Sequence, residues 1–128
     1  MPVFNHVTLG TNDVERSRRF YDALSAAMGG KPAKDDWKGR LNYRFGDMLF
    51  IVGPPIDGEP ATVSNGFTLG FRMDDPSMCD AWYEAGLANG GVSVEDPPGV
   101  RERPVGKRYL AYLRDPDGHK LCGFYALD

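Results

Sequence analysis

The sequence predicts an α+β fold made of two similar halves within a single domain, residues 1–128. Three observations lead to this prediction. Apolar residues alternate over several short segments, two other segments carry an apolar stripe at helical spacing, and the order of these segments repeats along the chain. The composition is that of an ordinary globular protein, with 41% hydrophobic and 26% charged residues.

The first half, about residues 1–55, begins with a strand and a helix. Alternation over Val3–Leu9 predicts a half-buried strand. Asn12, with Glu15 three residues later, resembles a capping box and predicts the start of the helix. Gly29-Gly30 should end it, because glycine readily adopts the left-handed conformation that closes a helix.

Two further strands complete the first half. They are predicted over Leu41–Phe45 and Met48–Val52, joined by the hairpin turn Gly46-Asp47. A linker rich in proline, about residues 54–64, follows them. Neither half is large enough to bury a sheet face alone, so the two halves should pair.

The second half, about residues 65–128, repeats this order. Asp75-Pro76 supplies an N-cap followed by proline in the first helical turn, and Gly90-Gly91 should end the helix. Asp96–Arg103 is interpreted as an exposed connector, with a lid loop as the alternative. Alternation predicts strands over three segments: Phe67–Met73, Arg108–Arg114 and Lys120–Ala126.

The two halves can be aligned residue by residue. A shift of 62 places His6 on Thr68. The last hairpin requires a shift of 72, which aligns the turn glycines and places Phe50 on Cys122. Strand, capped helix, double glycine and glycine-containing hairpin recur in the same order, which indicates an internal repeat.

Charge and composition exclude several classes of function. The net charge is −3 and the charged residues are interspersed without a basic stripe, so we expect no nucleic-acid partner. No apolar run reaches the roughly 18–20 residues of a membrane span, and the N-terminus lacks the pattern of a signal peptide. With two cysteines a disulfide framework is not expected, and a cytoplasmic location is the default.

Two motifs carry a resemblance to a known family. The segment His6–Leu9 followed by Asp13–Tyr21, together with the closing hairpin Arg114–Leu121, resembles the vicinal oxygen chelate superfamily of glyoxalases, bleomycin-resistance proteins and extradiol dioxygenases. The resemblance implies two βαβββ modules that form a U-shaped mixed sheet around a cavity. It also implies a homodimer, with modules paired either within one chain or across two.

The resemblance further implies where metal ligands would lie. The first-strand histidine of such proteins matches His6, its counterpart in the second module matches Thr68, and the usual final-strand glutamate is replaced by Cys122. Phe50 takes the remaining symmetry-related position. Only His6 is a strong ligand type, so we expect no resident divalent metal, although Cys122 could bind a soft metal as a thiolate.

The cavity predicted from strand alternation is both apolar and cationic. Thr68 and Arg72 share one strand face, as do Lys120, Cys122 and Phe124. Such a cavity, with Phe50 as a further apolar wall, suits a small organic anion, because charge fixes orientation and apolar burial provides affinity. The alternative is that Arg72 and Lys120 lie in solvent at the strand ends.

These residues allow more than one function. The leading hypothesis is a glyoxalase-like protein that binds or transforms a small organic compound, with His6 as a candidate acid–base catalyst. His6 could instead be hydrogen-bonded within the sheet, and Cys122 could be a small buried residue or a nucleophile. The alternatives are an antibiotic-sequestering type of protein without catalysis, and a metal-dependent lyase or dioxygenase.

Overall fold

A computed structural model describes residues 3–128 and shows two modules, each with one helix beside one mixed sheet. Residues 1 and 2, which the predicted first module includes, lie outside the described residues. The first module contains β1 (His6–Gly10), α1 (Val14–Ala27), β2 (Lys34–Asp35), β3 (Leu41–Phe45) and β4 (Met48–Gly53). The second contains β5 (Leu69–Arg72), α2 (Pro76–Ala88), β6 (Val92–Ser93), β7 (Gly99–Arg103), β8 (Gly106–Arg114) and β9 (Lys120–Ala126).

The strand order confirms the internal repeat. Sheet one has the order β1-β4-β3-β2, and sheet two has the order β5-β9-β8-β6. In both sheets the first strand pairs in parallel with the last, while the remaining pairs are antiparallel. The α+β architecture of two βαβββ modules is therefore confirmed, with β7 as an additional strand paired to β8.

The helix caps agree with the sequence in one module and differ by one residue in the other. Asp75 caps α2 as predicted, with its carboxylate accepting from the Met78 amide. The cap of α1 is Asp13 and not Asn12, since Asp13 accepts from the Arg16 amide at 3.0 Å. Asn12 instead exchanges two hydrogen bonds with the backbone of Ala61 in the linker, so its amide side chain is unavailable to the helix.

The interpretation of Asp96–Arg103 as a connector or lid is wrong for its second half. Gly99–Arg103 forms β7, which folds back on β8 through the two-residue turn Pro104-Val105. Arg101 and Arg103 lie on one face of this strand, and Val100 and Glu102 lie on the other. Neither face is apolar throughout, as a face of a core strand would be. Backbone pairing at the edge of the sheet, rather than burial, holds it in place.

One hydrophobic core serves both modules. α1 packs against α2, and one face of each sheet packs against the helices. Residues of both sheets therefore belong to one buried cluster, which includes Leu9, Phe50, Phe71, Leu113 and Leu121. The opposite face of each sheet points away from this core and is called its open face. Within residues 3–128, sheets one and two share no strand pairing, and β1 and β5 are edge strands. Neither helix described in residues 3–128 is long and apolar enough to span a membrane.

Candidate functional site

The open face of sheet two gathers most of the residues that the sequence predicts for a ligand site. Cys122 lies on it between Lys120 and Phe124 in β9, and the register places Gly70 and Arg72 of β5 directly beside Cys122 and Phe124. This agrees with the strand alternation. Thr68 precedes β5 by one residue and is exposed. On the other side of β9, β8 contributes Tyr112 opposite Cys122 and Leu110 opposite Phe124.

Two small residues, Gly70 and Cys122, stand side by side at the centre of this face, and this centre is called the depression. Gly70 has no side chain, and a Cβ atom placed there would meet no atom within 4 Å. Cys122 next to it is small and 7% exposed. Tyr112, Leu110 and Phe124 form aromatic and aliphatic flanks, so the depression has a largely apolar floor. Its shape follows from two small residues standing side by side in paired strands.

The Cys122 side chain is a neutral thiol in this setting. Burial raises the pKa of the Cys122 thiol, and this effect outweighs the hydrogen bond from Tyr112, which lowers it. Burial likewise raises the pKa of the Tyr112 phenol. A thiol that is not ionised is a poor nucleophile and a poor metal ligand, so Cys122 acts here as a small apolar group.

Cationic side chains surround the depression. Arg101 of β7 and Arg108 of β8 are direct partners in the antiparallel register. Their guanidinium groups reach toward opposite ends of the hairpin, since Arg101 donates to the carbonyl oxygens of Asp96 and Pro97 and Arg108 to those of Val105 and Lys107. The Arg108 guanidinium lies 5.6 Å from the centre of the Phe124 ring, and the Lys120 ammonium lies 4.8 Å from that of Tyr112. Lys120 also pairs with Glu95.

The partners of these two arginines leave their charge largely uncompensated. Arg101 donates to the carbonyl oxygens of Asp96 and Pro97 at 3.0 Å each, which fixes its position without neutralising it. Arg108 approaches the Asp128 carboxylate only at 3.8 Å. Arg72, at the other margin, is exposed and takes part in none of the ion pairs found among residues 3–128. The face is therefore positive on a chain whose net charge is −3.

His6 lies on the other sheet. It is exposed on the open face of β1, beside Leu49, and its Nδ1 is 3.1 Å from the Asn5 side-chain oxygen. An amide oxygen can only accept, so Nδ1 donates and the neutral ring presents Nε2 as an acceptor. No Cα atom of β1 comes within 8 Å of β5 or β9, so His6 and Cys122 do not share a site within one chain.

The donor groups do not fit the metal that the fold family implies. No group of three or more His, Cys, Asp or Glu side chains within residues 3–128 could hold a metal ion. His6 stands on one sheet, while Thr68 and the protonated Cys122 belong to the other module. One imidazole without a second strong donor is an incomplete site for a divalent ion.

The alignment that placed Phe50 on Cys122 is wrong by one residue. Phe50 pairs with Val7 on the core face, is 4% exposed, and contacts Tyr21 and Phe71. The residue of β4 that corresponds to Cys122 is Ile51, which pairs with Thr8 as Cys122 pairs with Gly70. Gly46 and Gly118 each lie two residues before the next strand, so aligning them places Met48 on Lys120. The pairings with the first strand of each module, Val7 with Phe50 and Leu69 with Leu121, instead place Phe50 on Leu121, and this difference of one residue exchanges the strand faces.

A groove between the two modules borders this site. It encloses about 740 Å³ between β5 on one side and the β3–β4 hairpin with the end of α1 on the other. Phe50 contributes to its floor, and Gly70 and Arg72 form part of its edge. Phe50 thus lies near a cavity, although it faces the core.

Two residues of the candidate site are not predicted from the sequence. Arg101 and Arg108 were assigned to a connector and to the start of a strand, and their opposition appears only once β7 is paired with β8. A signal was available in the hairpin-like segment around Pro104-Val105-Gly106. The alternation of Arg101 and Arg103 before that turn marks one face of a strand.

Comparisons with known proteins agree on the relationship. A sequence profile described as Glyoxalase/Bleomycin resistance protein/Dioxygenase superfamily matches residues 3–122. A crystal structure of a glyoxalase/bleomycin resistance protein from Albidiferax ferrireducens T118 is 50% identical and has a TM-score of 0.92, with 96% of this chain and 98% of that chain covered. No protein with a curated description matches the sequence.

More distant structures share the fold alone. A glyoxalase-related enzyme from Fulvimarina pelagi is 21% identical, with a TM-score of 0.70 and coverage of 97% of this chain and 88% of that one. A glyoxalase/bleomycin resistance protein/dioxygenase from Alicyclobacillus acidocaldarius is 17% identical, with a TM-score of 0.67 and coverage of 98% and 92%. At these identities the likeness says nothing about a shared ligand.

Proposed function

This chain belongs to the Glyoxalase/Bleomycin resistance protein/Dioxygenase superfamily, and we propose that it binds a small organic anion on the open face of sheet two. The observation that carries this proposal is the position of Arg101 and Arg108 as direct partners across two strands. Neither arginine has a carboxylate within hydrogen-bond distance, so an anion bound near their guanidinium groups would offset positive charge that the chain itself leaves uncompensated. Lys120 and Arg72 add positive charge at the margins of the same face.

The apolar depression provides the second half of the recognition. A Cβ atom at Gly70 would meet no atom within 4 Å, and we propose that the body of a small molecule packs against the sheet at this position. Apolar burial would provide affinity and the arginines would fix orientation, which is the usual division of labour in small-molecule sites. Thr68 at the start of β5 and Phe124 beside Arg108 complete the proposed contacts.

We propose that this binding uses no resident divalent metal and involves no nucleic acid. His6, Thr68 and Cys122 do not form a ligand set, which argues against a metal-dependent lyase or dioxygenase reaction. Binding is proposed here without catalysis by Cys122 or Tyr112, because burial raises the pKa of both groups and neither is a base at neutral pH. We therefore propose a protein that sequesters a small molecule, and we retain the cytoplasm as a separate expectation from the low cysteine content.

Acid–base catalysis by His6 is the second candidate, and it requires a homodimer. The exposed ring presents a free Nε2, but within one chain it stands on the other sheet. A second copy could bring its own β1 to the free edge of β5, since both are edge strands with an unpaired side. Sedimentation velocity would then show a dimer, and His6→Ala would abolish turnover while leaving anion binding intact.

Calorimetric titration with benzoate, phthalate and phenylphosphonate tests the main proposal. We expect Arg101→Gln and Arg108→Gln each to weaken binding about tenfold, because each removes one charged partner of the anion. Arg19→Gln is the matched control, since Arg19 is an exposed arginine on α1. Equal binding by all variants, or binding of none of the anions, would contradict the proposal. Stoichiometric metal in the purified protein would contradict its metal-free form.

A further inference from the structure

The groove between the modules has the features of a ligand cavity that is separate from the anion site on sheet two. Its volume of about 740 Å³ falls within the roughly 300–1,000 Å³ of small-molecule sites. Both modules contribute to it, since the β3–β4 hairpin and the end of α1 form one wall and β5 forms the other. Arg101, Arg108 and Lys120 do not line it. A ligand in the groove therefore makes no use of the arginine pair that carries the proposed anion site.

Three phenylalanine rings form the floor of the groove. Phe45 and Phe50 come from sheet one, and Phe71 comes from sheet two. Phe71 is edge-on to Phe45 at 6.3 Å and to Phe50 at 5.8 Å between ring centres, which is a favourable arrangement of aromatic rings. Phe50 and Phe71 also belong to the shared core, so the floor is anchored in the packed interior. The floor is thus an apolar surface built where the two modules meet.

Three methionines stand around this floor. Met28 follows α1, Met48 begins β4, and Met78 lies in the first turns of α2. All three are partly exposed, so their side chains are accessible from the groove. The methionine thioether is polarisable and makes favourable contacts with the edges of aromatic rings. The walls therefore suit a ligand that is itself aromatic.

Two arginines without carboxylate partners stand on the walls of the groove. Arg44 belongs to the β3 side, and Arg72 ends β5 on the other side. Both are exposed, and neither takes part in an ion pair found among residues 3–128. Asp74 also lines the groove, yet its carboxylate pairs with neither arginine. With two cationic groups and one anionic group, the lining is net positive on a chain whose net charge is −3.

We propose that the groove is a second binding site, which takes a monocarboxylate with a flat aromatic body. The rings of the ligand lie on the phenylalanine floor between the methionines, and its carboxylate pairs with the arginines of the walls. Arginine suits this role because its planar guanidinium binds a carboxylate through two parallel hydrogen bonds. The floor, the methionines and the arginines all line one cavity, so one molecule can use them without a passage to any other site. The inference goes beyond the anion binding proposed on sheet two and does not depend on it.

Methionine methyl NMR with 2-naphthoate tests where the ligand lies. The ring currents of a bound naphthalene should shift the methyl signals of Met28, Met48 and Met78 until the site is saturated. Met73 is the internal control, because its side chain is buried in the core and does not line the groove, so its signal should move far less. Arg101→Gln should change the affinity read at the groove methyls by less than about twofold, because substitutions at distant sites act independently.

A neutral ligand of the same shape, 2-naphthylmethanol, tests recognition of the carboxylate. We expect it to bind about tenfold more weakly than 2-naphthoate, because it lacks the charged partner of the arginines. Arg44→Gln combined with Arg72→Gln should weaken 2-naphthoate about tenfold and leave the alcohol unchanged. Unchanged binding of the alcohol also reports that the groove of the variant is intact. Arg19→Gln is the matched control, since Arg19 is exposed on α1 outside the groove.

Three results would overturn the inference. If 2-naphthoate shifts no methyl signal of the groove while Arg101→Gln still weakens benzoate binding, the groove site is excluded and the anion site stands. Equal affinity for 2-naphthoate and its alcohol would exclude recognition of the carboxylate. Groove methyl signals that shift with protein concentration in the absence of ligand would identify a second copy of the chain as the occupant of the groove.

Discussion

The two modules meet differently at the two ends of α1. Near its N-terminus the interface is closed by a buried polar network, whereas near its C-terminus, about 21 Å away for a helix of 14 residues, it opens into the apolar groove. We call the network the clasp; it joins Thr11–Tyr21 of the first module to the turn Asp115–His119 of the second. One end of the interface is therefore fixed in geometry, and the other is free to receive a ligand.

Asp117 is the centre of the clasp. Its side chain is 3% exposed and accepts hydrogen bonds from the Thr11 hydroxyl at 2.5 Å, the Asn12 amide at 3.0 Å and Arg16 at 2.8 Å, with Ser17 at 3.3 Å. Buried polar groups with so many partners tolerate little displacement, because any shift leaves donors unpaired. The clasp therefore sets how the two modules are oriented.

Asp115 and His119 extend the clasp on both sides. Asp115 accepts from the Tyr21 hydroxyl at 2.5 Å and from the amides of Asp117 and His119. The His119 ring is 5% exposed and its Nε2 lies 2.8 Å from the Gly10 carbonyl oxygen, to which it donates. His119 thus points into the interface and away from Cys122, as its place after the turn predicts. The groove has no comparable polar network, and this contrast yields three predictions about stability.

The largest effect is expected in the clasp. Asp117→Ala should lower the free energy of unfolding by about 2–4 kcal/mol, because the donors around it lose their acceptor and Arg16 loses its charge partner. Asp117→Asn, which keeps one acceptor oxygen, should lose about half as much. The control is Asp47→Ala in the exposed β3–β4 turn, where we expect a change below about 0.5 kcal/mol. Urea unfolding measures all three, and equal losses at both positions would refute the contrast.

A smaller and pH-dependent effect is expected at Asp115. Burial raises the pKa of the Asp115 carboxyl above its unfolded value. The stability that this group contributes is therefore complete below about pH 4 and is lost as the pH rises through the folded pKa. The asparagine of Asp115→Asn does not titrate. We therefore expect the free energy of unfolding of the variant, relative to that of the parent, to rise between pH 4 and pH 7. A difference that stays constant across this range would exclude the ionisation as its cause.

The smallest effect is expected at the groove. Arg44→Gln should change the free energy of unfolding by less than about 0.5 kcal/mol, because Arg44 is exposed and unpaired in the described part of the chain. Urea unfolding measures this change, as it does for the variants of the clasp. A loss above 1 kcal/mol without ligand would show that the open end also holds the modules together.

The fold was predictable because its signals are local. Asp75-Pro76 marks the start of α2, and the strands Leu41–Phe45 and Lys120–Ala126 have the bounds that alternation predicts. Such signals depend on residues a few positions apart. The sequence does not predict β7, because its residues show no alternation of apolar and polar side chains. The position of this strand depends on its pairing with β8.

The site was predictable only in part, for the same physical reason. Cys122 and Phe124 share the face expected from alternation, and the register adds Arg72 beside Phe124. The pairing of Arg101 with Arg108 cannot be predicted without knowing that β7 and β8 are neighbours. The face on which Phe50 lies cannot be predicted without knowing the register of β4. Local periodicity determines which residues of one strand share a face, but it does not determine which strand lies opposite.

The clasp also has a consequence for the order of events during folding. Its hydrogen bonds join residues 94 to 109 positions apart, from Tyr21–Asp115 to Gly10–His119. Contacts at such separation require closure of a long loop before they form, so they slow folding more than local helix and hairpin contacts do. One hydrophobic core serves both modules, so neither sheet can bury its apolar face until the modules meet. The orientation of the groove is therefore set only when contacts between residues 94 to 109 positions apart have formed.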